Sequence, residues 1–158
     1  MAVQSPHYVI RRAKPSDIRS LIRLLKLLFS IESDFSFNEL TQQRGLEMML
    51  QNTGDRCVMV AESQQQIIGM CTAQTLVSTA EGGIAAIIED LIVEEIWRGQ
   101  GLGKKLLSAV EEWAITRGVN RLQLLADRNN TAAIGFYNNV NWQRTDLICL
   151  RKYVSISE

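Results

Sequence analysis

The sequence contains few of the residues from which metal sites and disulfide frameworks are built. It has a single histidine, His7, and three cysteines, Cys57, Cys71 and Cys149, which are far apart and form no Cys-x-x-Cys pair. Because a zinc site takes three or four such ligands, we expect no metal. Free cysteines are among the most frequently buried residues, so we expect these three to be small core residues of strands.

The sequence also lacks an excess of charge of either sign and any long apolar run. Lysine plus arginine and aspartate plus glutamate number 17 each. A nucleic-acid or anionic-membrane binder shows a basic excess, so neither partner is expected. No run approaches the length of a membrane span and the N-terminus carries no apolar signal core, which makes a cytoplasmic location the expectation. The 158 residues suit one domain over residues 1–158.

Hydrophobic periodicity and turn residues divide the chain into strands and helices. Short apolar or alternating runs predict strands at residues 8–12, 57–62, 67–77, 85–93, 122–126 and 148–154. Helical spacing and capping residues predict helices that begin at Pro15 or Ser16, near Asn38, at Leu102 and at Asn130. Strand pairs that are followed by strand–helix–strand imply a mixed sheet with helices on both faces.

A glycine-rich segment stands between a predicted strand and a predicted helix, with the sequence Arg98-Gly99-Gln100-Gly101-Leu102-Gly103-Lys104. Glycines let a ligand approach the backbone N–H groups at a helix N-terminus, where the helix dipole favours an anion such as a phosphate. The spacing excludes two familiar phosphate motifs. Arg98 and Lys105 stand where a Walker A loop needs its first glycine and its Ser/Thr, and G-x-G-x-G does not fit the dinucleotide fingerprint. The alternative is a glycine-rich turn that only caps an ordinary helix.

The pattern Arg-x-x-Gly-x-Gly at residues 98–103 resembles the acetyl-CoA signature of the GNAT superfamily of N-acetyltransferases. The resemblance extends to the strand at residues 88–93, to an Asn…Ala…Phe-Tyr pattern at residues 130–137, and to the first strand and helix start at residues 10–17. It implies a GNAT-like α/β fold with a central, mostly antiparallel twisted sheet of about six or seven strands. Helices would cover both faces, and a splayed strand pair would hold the cofactor.

The cofactor that this resemblance implies is acetyl-CoA, or coenzyme A. Backbone N–H groups of the glycine loop would hold the pyrophosphate, and the strand before the loop would pair with the pantetheine arm. Asn130 would contact the cofactor or order a neighbouring loop, although asparagine also serves as a helix cap. Lys104 would either add charge at the phosphates or remain solvated. The implied cofactor-binding residues are Ile92, Val93, Arg98, Gly99, Gln100, Gly101, Leu102, Gly103, Lys104, Asn130 and Tyr137.

Acetyl transfer by direct attack needs a deprotonated amine and a proton for the departing thiolate, and it requires no nucleophilic side chain. The resemblance makes Tyr137 the candidate general acid, with packing beside Phe136 as the alternative. It makes Glu89 the candidate general base, acting directly or through a water. Strand alternation places Glu89 and Asp90 on opposite faces, so we expect one acid to point to the substrate and the other away. Asp90 or water as the base remains open.

Acids and aromatic residues occur in the segment that usually forms the acceptor wall in this family, at Glu32, Asp34, Phe35 and Phe37. They suit a cationic amine by charge and by cation–π contact, although a solvated loop with two core anchors fits as well. We therefore predict an acetyl-CoA-dependent N-acetyltransferase whose acceptor is a primary amine of a small molecule or of a protein. The alternative is a non-catalytic acyl-CoA-binding sensor of the same fold.

The resemblance also suggests a homodimer, as is common in this family. After the last helix, Asn141 is expected to take the place of a glycine, because asparagine can adopt the left-handed conformation.

Overall fold

The structure, a computed structural model, describes residues 7–155. These residues form two compact units that divide between Leu124 and Leu125. The first unit carries a sheet and three α-helices, and the second carries one α-helix and the C-terminal segment. The single domain over residues 1–158 stays a prediction.

The first unit is built around one five-stranded sheet whose strands follow the chain order β1-β2-β3-β4-β5. Antiparallel pairing joins β1, β2, β3 and β4 in succession, and β5 runs parallel to β4. The sheet is therefore mixed and mostly antiparallel, which confirms the predicted fold class with fewer strands than expected. The strands are β1 (Val9–Arg12), β2 (Arg56–Ser63), β3 (Gln66–Ser78), β4 (Gly83–Val93) and β5 (Val119–Leu124).

Helices cover both faces of this sheet, as predicted. Val58, Val60 and Met70 pack into the core beneath the first two helices, and their neighbours along each strand point to the opposite face. On that opposite face, a Cβ added to Gly69 would meet Leu106 of the third helix at 3.1 Å, so glycine allows this helix to approach closely. The helices of the first unit are α1 (Ile18–Ile31), α2 (Glu39–Met49) and α3 (Leu102–Thr116), with 3-10 turns at Pro15–Asp17 and Glu95–Trp97.

A group of charged side chains fixes the start of α1 to the edge of the sheet. The Arg11 guanidinium donates to both carboxylate oxygens of Asp17, at 2.8 and 3.0 Å, and its Nε donates to Glu62 at 2.6 Å. Asp17 also accepts from the Lys14 backbone N–H at 2.7 Å. The hydrogen bond from Arg11 holds the pKa of Asp17 below its ordinary value. The pair therefore stabilises the fold above the ordinary aspartate pKa, and this stabilisation is lost as the pH falls through the lowered value.

An irregularity in the pairing of β3 with β4 sets the direction of two acids. The register shifts between Cys71 and Ala73, so that Thr72 alone faces both Glu89 and Asp90 of β4. Such a bulge adds one residue to a strand and interrupts the alternation of its two faces. The simple alternation that separates the two acids in the sequence therefore does not hold here.

The strands β4 and β5 pair over only part of their length. Their parallel register runs from Ile84 opposite Val119 to Ile88 opposite Leu124. Residues 89–93 of β4 extend beyond that pairing, and within the described range no other strand pairs with them on that side. The backbone of residues 89–93 therefore has one unpaired edge, and the splayed strand pair was expected to offer such an edge to the cofactor.

The second unit contains the helix α4 (Thr131–Asn139), which begins and ends as the sequence predicts. The Asn130 side chain accepts a hydrogen bond from the Ala133 backbone N–H at 3.1 Å and so caps the first turn. After the helix, Asn141 has a φ of 68°, the left-handed conformation expected of it in place of glycine.

The strand predicted at residues 148–154 is wrong, because residues 143–155 form no helix or strand. The large apolar side chains in this segment are exposed, and Cys149 is exposed too, against the expectation of a core cysteine. An apolar, strand-like pattern produces a strand only where a neighbouring strand supplies hydrogen-bond partners. No described strand pairs with this segment. Cys57 and Cys71 are buried in β2 and β3, as expected.

Candidate functional site

The glycine loop at residues 98–104 leaves the backbone accessible at the start of α3. Gly99 and Gly101 have φ values of 74° and 83°, which residues with a Cβ rarely adopt. Gly101 immediately precedes α3, and no side chain caps the helix there. A Cβ placed on either glycine would meet nothing within 4 Å, so open space lies over these backbone groups. The uncapped N–H groups of the first turn and the helix dipole together favour an anion at this position.

Two polar side chains of the loop bind back to the protein. Arg98 Nε donates to the Val93 carbonyl at 2.9 Å, which ties the loop to the end of β4. The Gln100 side chain donates to the Ile96 carbonyl at 3.2 Å. The arginine of the motif therefore has a structural role here, and the groups that remain to hold a phosphate are mainly backbone N–H groups.

The other predicted cofactor residues of this unit lie on two elements, the end of β4 and the start of α3. Ile92 and Val93 have buried side chains, and their backbone belongs to the part of β4 that extends beyond β5. Leu102 anchors the start of α3 in the core. Gly103 and Lys104 lie in the first turn of α3, where the Lys104 side chain is exposed. The structure thus places the loop and the strand edge in one continuous stretch of backbone.

A cavity of about 340 Å³ lies between α1, α2 and the face of β2, β3 and β4. The helices supply a mostly apolar wall, and the sheet supplies the charged groups. Its principal lining residues are Leu25, Phe29, Leu46, Met48 and Met49 from the helices, and Arg56, Thr72, Gln74, Glu89 and Asp90 from the strands. The two acids precede the expected pantetheine edge on the same strand by only a few residues, at about 3.3 Å per residue.

Glu89 and Asp90 both line this cavity, which corrects the expectation that one of them points away. The bulge opposite Thr72 is the physical reason, because it interrupts the alternation at these two residues. Thr72 Oγ1 donates to Asp90 Oδ2 at 2.8 Å and accepts from the Asp90 backbone N–H at 3.1 Å. Burial raises the pKa of Asp90 to about 6, while the Thr72 hydrogen bond opposes the rise and the Glu89 charge adds to it.

Among residues 7–155, Arg56 is the one basic residue that lines the cavity. It stands at the start of β2, and its Nη1 donates to the Met48 carbonyl near the end of α2 at 2.8 Å. Its own carbonyl accepts from Arg12 Nη2 at 3.1 Å. Sequence reasoning missed this residue because it belongs to no motif. Its place beside the acids arises only when β2, β3 and β4 pair.

The predicted acceptor residues are not part of the cavity lining. Glu32 follows α1 as its C-terminal cap, Asp34 is exposed, and Phe37 packs against the core. Phe35 packs on Phe29 with ring centres 5.4 Å apart, and Phe29 does line the cavity. Their role in binding an acceptor stays a prediction.

Two predicted site residues, Asn130 and Tyr137, lie in the second unit. Asn130 serves as the helix cap described above, so this alternative to cofactor contact is present in the structure. The Tyr137 ring packs between Phe136 and Trp142, with ring centres 5.3 and 5.9 Å away. The packing alternative for Tyr137 thus has a structural basis, and its role as general acid stays a prediction.

Within residues 7–155, no group of three or more His, Cys, Asp or Glu side chains is placed to hold a metal ion. None of the helices in that range combines the length and the apolar character needed to cross a membrane.

Residues 20–142 match the model of the acetyltransferase (GNAT) family. The match includes the cavity, the glycine loop and the pattern at residues 130–137. The chain belongs to the acetyltransferase (GNAT) family. An uncharacterized N-acetyltransferase of Archaeoglobus fulgidus is 26% identical to it over 138 residues, which cover 87% of this chain and 94% of that protein.

Two solved structures share the fold of this acetyltransferase. An aminoglycoside N-acetyltransferase in complex with CoA superposes with a TM-score of 0.83 at 17% identity, over 97% of this chain and 99% of that one. A transcriptional regulator from Bacillus halodurans C-125 superposes with a TM-score of 0.81 at 22% identity, over 94% of this chain and all of that one.

Membership of this family makes the protein an N-acetyltransferase whose cofactor is acetyl-CoA or CoA. The residues present fit this cofactor, because the loop offers uncapped N–H groups under open space for a pyrophosphate. The extended part of β4 offers a strand edge for the pantetheine amides. When bound, acetyl-CoA supplies an acetyl group as a thioester.

Proposed function

We propose that this acetyltransferase transfers the acetyl group of acetyl-CoA to the primary amine of a small molecule that binds in the cavity. The observation that carries the proposal is the pair Glu89 and Asp90, which lines the cavity and stands on the strand that leads to the cofactor loop. Two carboxylates attract a protonated amine and hold it near the strand edge expected to carry the thioester. A solved relative that is named as an aminoglycoside acetyltransferase supports a small-molecule acceptor.

Asp90 has the stronger claim to receive the amine proton. An ammonium group of the lysine type has a pKa of about 10.4 and cannot attack until it loses a proton. A general base works best when its pKa lies near the operating pH, and burial brings that of Asp90 to about 6. Glu89, the base expected from the sequence, remains a candidate. Its charge in the same cavity would hold the ammonium while Asp90 accepts the proton.

The transfer proceeds by direct attack in this proposal. The ammonium first gives one proton to Asp90, directly or through a water. The neutral amine nitrogen then bonds to the acetyl carbonyl carbon as the carbon–sulfur bond breaks, and Tyr137 gives a proton to the departing thiolate, as the resemblance implies. The nitrogen loses its second proton to water after the attack, and Tyr137 regains a proton from water. The two thiols of the first unit do not support a covalent route, because burial raises the pKa of Cys57 to about 11 and raises that of Cys71 as well.

Release of the CoA thiol over a panel of primary amines tests this proposal. We expect saturable release with at least one small amine, and mass spectrometry should show that amine carrying one acetyl group. Background release with every amine, while acetyl-CoA still binds in a calorimetric titration, would favour the acyl-CoA sensor. A lysine-containing peptide forms a second arm, and faster turnover of the peptide than of every small amine would overturn the small-molecule acceptor.

A further inference from the structure

We infer that the acceptor carries a carboxylate as well as its amine, and that Arg56 binds this carboxylate. The inference rests on the proposed function, since it concerns the molecule that occupies the same cavity. It assigns a specificity role to a residue that lies outside every motif of the sequence.

The first observation is that the cavity holds opposite charges that do not neutralise each other. Glu89 and Asp90 line one part of it and Arg56 lines another. None of the four ion pairs found among residues 7–155 joins Arg56 to either acid. Arg56 is on β2 and the acids are on β4, so β3 separates them by two strand spacings. Arg56 is opposite Gln74 and the acids are opposite Thr72, which adds two residues along the strands and gives a backbone separation of about 12 Å. A ligand that satisfies both ends must therefore be dipolar.

The second observation concerns the hydrogen-bonding capacity of Arg56. Its Nη1 donates to the Met48 carbonyl at 2.8 Å, which fixes the guanidinium against the end of α2. Within the described part of the chain, neither Nε nor Nη2 of Arg56 donates to a protein group. Two parallel N–H donors on a planar group match the two oxygens of a carboxylate. The fixed guanidinium therefore presents a carboxylate-binding edge at the cavity.

The third observation concerns what lies between the charged ends. Leu25, Phe29, Leu46 and Met49 form the apolar part of the helix wall over the same cavity, and Thr41 and Gln42 of α2 also line it. The apolar part suits the hydrocarbon portion of an amino acid better than a ring system covered with hydroxyl groups. A polycationic acceptor without a carboxylate would also place positive charge beside Arg56. The lining thus favours an amino-acid-like acceptor over an aminoglycoside.

Matched pairs of acceptors test the inference, because both members of a pair offer the same amine. We would compare kcat/KM for 6-aminohexanoate and hexylamine, and for 4-aminobutanoate and butylamine. A bidentate, charge-assisted hydrogen bond predicts that the amino acid of at least one pair is preferred by about 10–100-fold. Arg56→Gln should bring that ratio close to one, and Arg56→Lys should restore part of it.

Arg44→Gln provides the matched control, since Arg44 is an exposed arginine of α2 outside the cavity lining. It should keep the wild-type ratio. Equal kcat/KM within every pair in the wild type would overturn the inference. A preference that survives in Arg56→Gln would also overturn it, as would an equal loss for both members with a lower Tm, which would mean that Arg56 only supports the fold.

A binding measurement separates this inference from the proposed function. Calorimetric titration of the CoA-bound protein with 6-aminohexanoate and with hexylamine needs no turnover. Tighter binding of the amino acid, lost in Arg56→Gln, supports the inference even if no amine is acetylated. If amines are acetylated but the two ligands bind equally well, the proposed function stands and the inference fails.

Discussion

The glycine loop and the acceptor cavity serve one reaction but are built from different parts of the chain. The loop is seven consecutive residues, 98–104, and its binding groups are backbone N–H groups set by two left-handed glycines. The cavity takes its lining from two helices and three strands spread over residues 25–90. A site made of consecutive backbone can be recognised in a sequence, whereas a site made of side chains from five elements becomes visible only in the fold.

The two regions also differ in how they affect the stability of the fold. Glycine adopts a positive φ without steric strain, so the conformation of the loop depends on no buried charge or strained side chain. The cavity holds Asp90 in surroundings that disfavour its charge, as its raised pKa shows. Changes in the loop should therefore act on cofactor binding, whereas changes in the cavity should act on turnover and stability together.

A side chain in place of the hydrogen of Gly101 should block the cofactor site. Gly101→Val is expected to lower acetyl-CoA affinity by about 100-fold or more, because its side chain enters the space over the first-turn N–H groups. Gly118→Val is the matched control, since Gly118 has a φ of 73° and equally open surroundings but follows the other end of α3. Calorimetric titration with acetyl-CoA measures both variants. An equal loss of affinity in the two would mean that backbone strain, not a blocked cradle, is responsible.

The acids of the cavity should differ in their effect on turnover. Asp90→Asn is expected to lower kcat/KM by about 100–1,000-fold and Glu89→Gln by about 10-fold, because only Asp90 is proposed to accept the proton. Protonated Asp90 cannot act as a base, so wild-type kcat/KM should fall as the pH drops through about 6. Glu89→Gln should keep this acid limb of the pH profile. The reverse ranking, with the limb lost in Glu89→Gln, would return the base role to Glu89.

Tyr137→Phe separates chemistry from packing in the second unit. The phenylalanine ring can keep the contacts with Phe136 and Trp142, so the fold should be retained. Loss of the proton donor should lower kcat by about 100-fold while the affinity for acetyl-CoA changes less than about 2-fold. Single-turnover kinetics and calorimetry measure the two quantities. Wild-type turnover would assign Tyr137 to packing alone.

The parts of this molecule that were predicted correctly depend on local patterns. The strand and turn that end at the glycine loop, the Asn130 cap and the left-handed Asn141 each follow from residues close together in sequence. The mixed sheet followed from the order of these elements. Local sequence therefore predicts the strand–loop–helix segment and the sheet that carries it.

The parts that were missed depend on pairing between distant segments. The bulge opposite Thr72 lets both Glu89 and Asp90 line the same cavity. A prediction based on strict two-residue alternation cannot show such a bulge. Arg56 lines the same cavity as the acids because β2 and β4 both pair with β3, and this pairing joins segments that are distant in sequence. The strand-like pattern at residues 148–154 failed for the converse reason, since a strand needs a partner that its own sequence cannot supply.

The smallest expected effect is a gain in stability from Asp90→Asn, the variant that is also expected to lower turnover. In the folded protein the pKa of Asp90 rises from 3.8 to about 6, so its ionisation opposes folding above about pH 6 and has no effect below about pH 4. A shift of about two units corresponds to about 3 kcal/mol at most, and partial exposure reduces this to about 1–2 kcal/mol. Asp90→Asn keeps an oxygen that can accept from Thr72 and removes the charge.

Urea unfolding between pH 4 and pH 8 measures this difference. Asp90→Asn should be more stable than the wild type at pH 8 and nearly equal to it at pH 4. Glu89→Gln, at an exposed position, should change the free energy of unfolding by less than about 0.5 kcal/mol at either pH. If Asp90→Asn is instead less stable at pH 8, the Thr72 hydrogen bond to the carboxylate outweighs the effect of burial. The acid would then be a structural residue of the bulge, and the cavity would still differ from the loop, because Asp90 would stabilise the fold through its hydrogen bond to Thr72.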